Sequence, residues 1–358
     1  MSHPIRVLVV GCGNMGASHA RAYHKMPEFE VVGVVSRGPE SRGRLSAELG
    51  GVDQFDNFDT ALEATKPDAV SINSYPDTHA EYVKKSLEAG AHVFVEKPLA
   101  ETVEEAEEIK ALAEKAGKKV VIGYILRVHP AWEKFIEIAH TLGKPLVMRM
   151  NLNQQSHGST WEVHKNLMKS MSPIVDCGVH YVDVMCLMTR ANPVSVNAIG
   201  ARLTEEIQPG MYNYGHLHVT FDDGSVGWYE AGWGPMMSET AYFVKDVIGP
   251  KGCVSIVDKG GSERAGGSDD VDGHSTTNSL KVHYAQTNSD GSFSKPDQFV
   301  DTTFEPDHQG LCDLEQAYFL KAIQEDLDLS DHLNDAINSL KIVLAADEAF
   351  RTGKTVVL

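Results

Sequence analysis

Asp176, His180 and Asp183 stand at i, i+4 and i+7 in the stretch Ile174–Thr189, whose composition predicts a helix. That spacing puts all three on one helix face. Two carboxylates flanking an imidazole could form a proton relay, hold a metal ion or make a buried structural network. Metal is the poorest match, because no third His or Cys follows at a recognisable spacing and the zinc pattern His-Glu-x-x-His is absent. A second reactive group is Lys97. It closes the run His92-Val-Phe-Val-Glu-Lys-Pro98, a buried-type strand, and so stands at the carboxyl edge of a sheet, where a ligand would lie.

The elements that must position these groups begin with Arg6-Val-Leu-Val-Val-Gly-Cys-Gly-Asn-Met-Gly16. A β-branched strand runs into Gly11-x-Gly13-x-x-Gly16 and a helix follows, predicted over 14–26 and stopped by Pro27. In this context Gly11 makes a tight turn, Gly13 admits a pyrophosphate to the backbone, and Gly16 lets helix and strand pack closely. The helix start adds free N–H groups and the positive dipole end. The next strand, Val31–Val35, ends in Ser36 and Arg37, with Arg42 nearby, where an Asp or Glu would bind the adenosine ribose. A guanidinium in place of a carboxylate suits the 2′-phosphate of NADP. The other reading is that Arg37 stacks on adenine and NAD is used, so the cofactor is NAD or NADP. Strands Ala69–Asn73 and Lys119–Gly123 complete about five βα units of a doubly wound parallel sheet, a Rossmann domain over 1–123. The polar loop Ser74-Tyr-Pro-Asp-Thr-His79 falls at another carboxyl edge.

From Tyr124 onward the pattern changes. After a helix around 130–142 come strands with period-two alternation, over 146–152, 194–203, 214–221 and 225–233, the last two joined by the turn Asp222-Asp-Gly224. These predict a second α/β domain over 124–358 with a large, mainly antiparallel open sheet. Two helices, about 310–325 and 333–352, and a short strand end the chain. The Gly-, Ser- and Asp-rich segment 258–279 reads as a mobile surface loop. One face of an open sheet this size needs a cover, so a homo-oligomer, dimer or tetramer, built through that sheet is expected.

A net charge of −18 over 358 residues argues against nucleic acid or anionic membrane as partner. No apolar run approaches the ~18 residues of a membrane span, and Met1–Pro4 lead directly into the first strand, so no signal peptide is expected. Five cysteines without a Cys-x-x-Cys pair fit reduced thiols in a cytoplasm, with Cys12 as packing inside the glycine turn.

Together the glycine turn, Ser74-Tyr-Pro-x-x-His79, Ala89-Gly-x-x-Val-Phe-Val-Glu-Lys-Pro98 and Asp176-x-Gly-x-His-x-x-Asp183 resemble the Gfo/Idh/MocA oxidoreductases over the whole chain. The resemblance implies a sugar or cyclitol dehydrogenase in which Lys97, Asp176 and His180 surround the reacting carbon and no metal takes part. It implies cofactor contacts from Gly11, Gly13, Asn14, Met15, Gly16, Ser36, Arg37, Ser74, Tyr75, His79, Glu96, Lys97 and Arg127. Substrate contacts are expected from Lys97, Tyr124, Trp161, His164, Asp176 and His180. For Trp161, His129 and His164 the bland alternative is a core tryptophan and two surface histidines. One departure stands out: Ser172-Pro173-Ile174 occupy positions where the family commonly has glycines.

Oxidation of an alcohol needs a base for the hydroxyl proton while hydride leaves the same carbon. A lysine with a pKa near ~10.4 is a poor base until burial or a neighbouring cation lowers it. Lys97 and His180 are therefore read as the acid/base pair and Asp176 as orienter or substrate anchor. Residues 124–165 resemble, more weakly, aldose dehydrogenases of the apiose type that oxidise the anomeric carbon to a lactone. Two other readings are a glycosidase that retains its cofactor and a non-catalytic NAD(P)-binding sensor.

Overall fold

The computed structural model describes residues 3–238, 244–257 and 277–358. The chain divides into two compact units, residues 1–128 with 308–337 and residues 129–307 with 338–358.

The first unit holds a six-stranded parallel sheet of β1 (Ile5–Val10), β2 (Phe29–Val35), β3 (Gln54–Phe55), β4 (Ala69–Ile72), β5 (His92–Val95) and β6 (Val120–Ile122). Its order is β3-β2-β1-β4-β5-β6. β1, β4 and β5 are nearly continuous Val, Leu, Ile and Phe runs because helices cover both faces of a parallel sheet. The strand order reverses between β1 and β4, and the glycine turn and Ser74 follow those two strands. The sequence reading found five of the six strands. β3 is only two residues long and carries too little pattern to be seen.

The helices His308–Gln324 and Ser330–Thr352 were expected in the second domain, but residues 308–337 pack with the first unit. Phe319, Ala322 and Leu329 join its core, with the Phe319 ring near Phe29 and Phe94. The returning segment also closes the exposed sheet edge: the His332 ring accepts the Ile122 N–H at 2.9 Å, and Lys119 Nζ reaches the Leu327 carbonyl at 2.7 Å. Amphipathic helices announce that they pack on something; nothing in their periodicity says on which sheet.

The second unit is built on nine strands, β7 (Val147–Gln154), β8 (Pro193–Ala201), β9 (Tyr214–Phe221), β10 (Val226–Trp233), β11 (Lys245–Gly249), β12 (Gly252–Ile256), β13 (Ser279–Tyr284), β14 (Gln298–Asp301) and β15 (Val356–Val357). The order is β14-β13-β12-β11-β7-β10-β9-β8-β15, antiparallel except for the parallel pair β7–β10. One face is buried under the helices Pro130–Thr141 and Gly178–Thr189. On the other, Val147 lies between its cross-strand partners Val226 and Ile248, all three exposed. The turn at Asp222–Gly224 is as expected, with Gly224 at φ 82°. The loop expected over 258–279 lies outside the described residues up to 276; Thr277 is buried and Ser279 begins β13.

His332 is buried and its ring nitrogen must stay an acceptor, so burial and the nearby Arg127 cation push its pKa well below the usual histidine value. Below the unfolded pKa of ~6.5, the unfolded chain takes up the proton and the native one does not. Stability should therefore fall as pH drops from ~6.5. Urea unfolding across pH should show that loss in the native chain and a flatter profile in His332→Gln. His332→Leu, which orphans the Ile122 N–H, should lose about 1–3 kcal/mol.

Candidate active site

At the turn after β1 the three glycines do different things. Gly11 has φ 93°, and a side chain there would collide with the Asn73 carbonyl. A Cβ on Gly16 would overlap the Gly11 carbonyl oxygen. Around Gly13, by contrast, no protein atom lies within 4 Å of where a Cβ would be, and the residue is exposed. Gly13 caps the helix Asn14–Lys25 with no side-chain acceptor, and no acidic residue sits in the first turn. The exposed Asn14 and half-exposed Met15 thus begin a helix whose leading N–H groups and positive end suit an anion. These features fit a dinucleotide pyrophosphate. Cys12 is packing, its thiol pushed up to about 11 by burial.

At the end of β2, Ser36 is half-buried and Arg37 exposed. Arg42 is bound to the Ser36 carbonyl, and its guanidinium closes the end of the strand. Ser74 is half-buried and Tyr75 is 54% exposed, so both are available on the loop after β4. His79 is not. It is fully buried, with Nδ1 2.7 Å from the Pro98 carbonyl and Nε2 3.0 Å from that of Ser74. It ties the two loops together and can affect a ligand only through them. Burial lowers its pKa more than the two carbonyls raise it.

From Val93 to Ala100 every residue is buried except Lys97. The preceding Glu96 is held at Oε1 by His19 Nε2 (2.8 Å) and at Oε2 by the Lys97 backbone N–H (3.3 Å). His19 Nδ1 accepts from Gln316, 2.8 Å away, so both ring nitrogens are engaged. Behind them Glu315 is fully buried, and among the described residues neither carboxylate oxygen has a hydrogen-bond partner. Burial first, and the Glu96 charge second, raise its pKa well above the usual carboxylate range, which makes it a neutral acid. His19, Cys312 and Glu315 each bring a donor atom within 4.8 Å of the others, but His19 has no lone pair left for a metal.

In the second unit the helix expected over 174–189 is two helices, Pro173–Asp176 and Gly178–Thr189. Asp176 ends the first and His180 lies in the first turn of the second. From Met171 to Cys186 these two are the only residues not buried. Asp183 shares the predicted face but is 0% exposed, so it belongs to the interior. The glycine between Asp176 and His180 has a packing reason: a Cβ on Gly178 would stand 2.9 Å from the Tyr229 ring.

Of the remaining predicted contacts, Tyr124, Trp161 and His164 are buried, and Arg127 is half-buried in an ion pair. Tyr124 is buried, under Arg127 and beside His332, and Arg127 itself pairs with Asp335 at 2.8 Å. Trp161 is core, its indole N–H 3.3 Å from Glu206. His164 is buried and stacked on Trp233 at 4.2 Å; it is not a surface histidine, and neither is His129, which is buried and caps the helix at Pro130. Sequence reasoning missed Gln154, whose Oε1 accepts from the Trp233 indole (2.7 Å) and the Cys177 thiol (3.5 Å) beside Asp176. A glutamine in an alternating strand gives no signal of such a role.

Comparison with known proteins shows the family and the fold. The family model "Oxidoreductase family, NAD-binding Rossmann fold" matches residues 5–124, and "GFO/IDH/MocA C-terminal domain" matches 138–254. The chain belongs to the Gfo/Idh/MocA oxidoreductase family. Among relatives, it is 28% identical over 272 residues to the scyllo-inositol 2-dehydrogenase (NAD(+)) of Bacillus subtilis, covering 72% of this chain and 75% of that one. It is 28% identical over 267 residues to the D-glucoside 3-dehydrogenase of Escherichia coli, covering 70% and 76%. With the UDP-N-acetylglucosamine 3-dehydrogenase of Acidithiobacillus ferrooxidans it shares 29% over 203 residues, 55% of this chain and 58% of that protein. The fold matches the solved structure of the last (TM-score 0.75, 22% identity, 98% and 99% covered). It also matches apo scyllo-inositol dehydrogenase of Lactobacillus casei (TM-score 0.77, 22%, 100% and 99%).

The glycine geometry separates folding from binding. Gly13→Ala should leave the melting temperature within about 2 °C, because its methyl group meets no protein atom. It should weaken NAD(H) affinity by about tenfold or more, read by titration of NADH fluorescence. Gly16→Ala should instead lower the melting temperature sharply.

Proposed function

We propose that the protein is an NAD(P)-dependent dehydrogenase that oxidises a ring hydroxyl of a sugar or cyclitol. The carrying observation is that in two otherwise buried stretches, 93–100 and 171–186, the only accessible side chains are Lys97, Asp176 and His180. Partial exposure of these three is what proton transfer to a bound hydroxyl needs. The names of the relatives, acting on inositol, glucoside and nucleotide-sugar ring carbons, support the same substrate class. The lactone-forming reading rested on 124–165, where Tyr124, Trp161 and His164 are all buried, so the ring hydroxyl is preferred.

Gly11–Gly16, Ser36, Arg37, Ser74 and Tyr75 would hold the dinucleotide, which when bound supplies the hydride acceptor. Lys97 and His180 serve as the acid/base pair for the hydroxyl proton, and Asp176 orients the hydroxyl or the imidazole. Glu96 fixes the Lys97 backbone through the bond to its N–H. His79 holds the loops after β4 and β5 in register. The exposed row Val226–Val147–Ile248 supports a homo-oligomer through the open sheet. Among the described residues the five cysteines form no disulfide, in accord with a reducing cytoplasm.

A screen of aldoses and cyclitols with NAD and NADP, followed by reduced-nicotinamide absorbance, should find a substrate. Lys97→Ala should then lose about 10²–10⁴ in turnover with cofactor affinity retained; undiminished turnover would remove Lys97 from the mechanism. Val147→Arg should shift the sedimentation coefficient toward that of a single chain, and an unchanged coefficient would exclude this face as the interface.

A further inference from the structure

The start of the Asp176 helix is built from side chains that lie far away in sequence. Ser172 is 0% exposed and caps the helix Pro173–Asp176, its Oγ accepting the Val175 N–H at 3.2 Å. The same hydroxyl donates to Asp347 Oδ1 at 2.7 Å. The hydroxyl of Tyr212, itself 2% exposed, lies 2.5 Å from Asp347 Oδ1 and 3.0 Å from Ser172 Oγ. Ser172 donates to the Asp347 carboxylate, the Tyr212 hydroxyl donates to Asp347 or to Ser172 Oγ, and Ser172 Oγ accepts the Val175 N–H.

A helix of four residues has no intrinsic stability. Its backbone bonds, Asp176 N–H to Ser172 and Cys177 N–H to Pro173, fix one turn, and its buried Pro173, Ile174 and Val175 pack it inward while the cap anchors its start. Asp176 is the last residue of that turn, so what holds Ser172 contributes to where the Asp176 carboxylate points. The resemblance to the family implies glycines at these positions. A serine and a proline instead give this helix a side-chain cap and a preset φ at its first position. The carboxylate and phenol supply the second layer of that cap.

We propose that Asp347 and Tyr212 are positioning residues for Asp176, acting through Ser172; the inference rests on the dehydrogenase reading for its consequence, not for its geometry. Neither residue needs to meet substrate or cofactor.

The test uses the full-length chain and the variants Asp347→Asn, Tyr212→Phe and Ser172→Ala, with hydrogen exchange and steady-state kinetics measured on each. Exchange over 173–177 should be at least about threefold faster in Asp347→Asn and Tyr212→Phe than in the native chain, since the hydroxyl capping Val175 is no longer held. The kcat for the sugar should fall about tenfold or more while cofactor affinity stays within twofold, because misplacement of a reacting group can cost up to ~10². Asp347→Asn added to Ser172→Ala should cost nothing further, which a general loss of packing would not reproduce. Tyr212→Phe removes one atom and guards against a misfolded Asp347 variant. Unchanged exchange at 173–177 in both variants would overturn the network. Faster exchange with kcat unchanged would overturn its role in positioning, as would additive losses in the double variant. Failure of the native chain to oxidise any sugar would count against the dehydrogenase reading alone, because the exchange result still decides the network.

Discussion

The first unit depends on one crowded contact. The helix after β1 starts so close to the strand that a single methyl group at position 16 would overlap the Gly11 carbonyl oxygen, and Gly11 itself is pressed against Asn73. That closeness brings the helix N-terminus to the point where the sheet reverses its order, between β1 and β4. The unmade space over Gly13 follows from the same geometry. Two of the glycines are demanded by the fold and the third by something the fold leaves room for.

Elsewhere the protein isolates its reactive groups by burying what surrounds them. Lys97 emerges from a strand end that is otherwise dry, with Glu96 locked behind it by His19 and the Lys97 backbone N–H. A second carboxyl, Glu315, is tolerated in that interior because it is held as the neutral acid. Asp176 and His180 emerge in the same manner from a stretch, 171–186, whose other residues are buried. A short helix, a buried cap and a glycine that makes room for Tyr229 set the backbone between them. In both places much of the rigidity comes from apolar packing, and the polarity is confined to a few groups.

Much of this was legible in the sequence because the chemistry constrains residue type. The glycine turn, the Glu96-Lys97-Pro98 strand end and the Asp176–His180 pair each need particular residues at fixed spacing, and within them Gly13, Lys97, Asp176 and His180 keep some exposure. The contacts expected of Tyr124, Trp161, His164 and Arg127 were inferred from side chains that suit a sugar or an anion, but such side chains suit a core or an ion pair equally well. The break at Cys177, the return of 308–337 to the first sheet and the Tyr212–Asp347–Ser172 cap depend on tertiary contacts across long sequence separations. No local pattern encodes them.

The central claim is that the accessible Lys97, Asp176 and His180 serve a net oxidation. Its most direct test is the stoichiometry of turnover by the native protein, with sugar consumed and reduced nicotinamide formed measured in the same reaction. The account predicts one equivalent of reduced cofactor for each equivalent of sugar oxidised to a ketone. Sugar turnover with no net reduced cofactor would contradict it, since a retained cofactor that is oxidised and reduced within one cycle serves bond cleavage and not dehydrogenation.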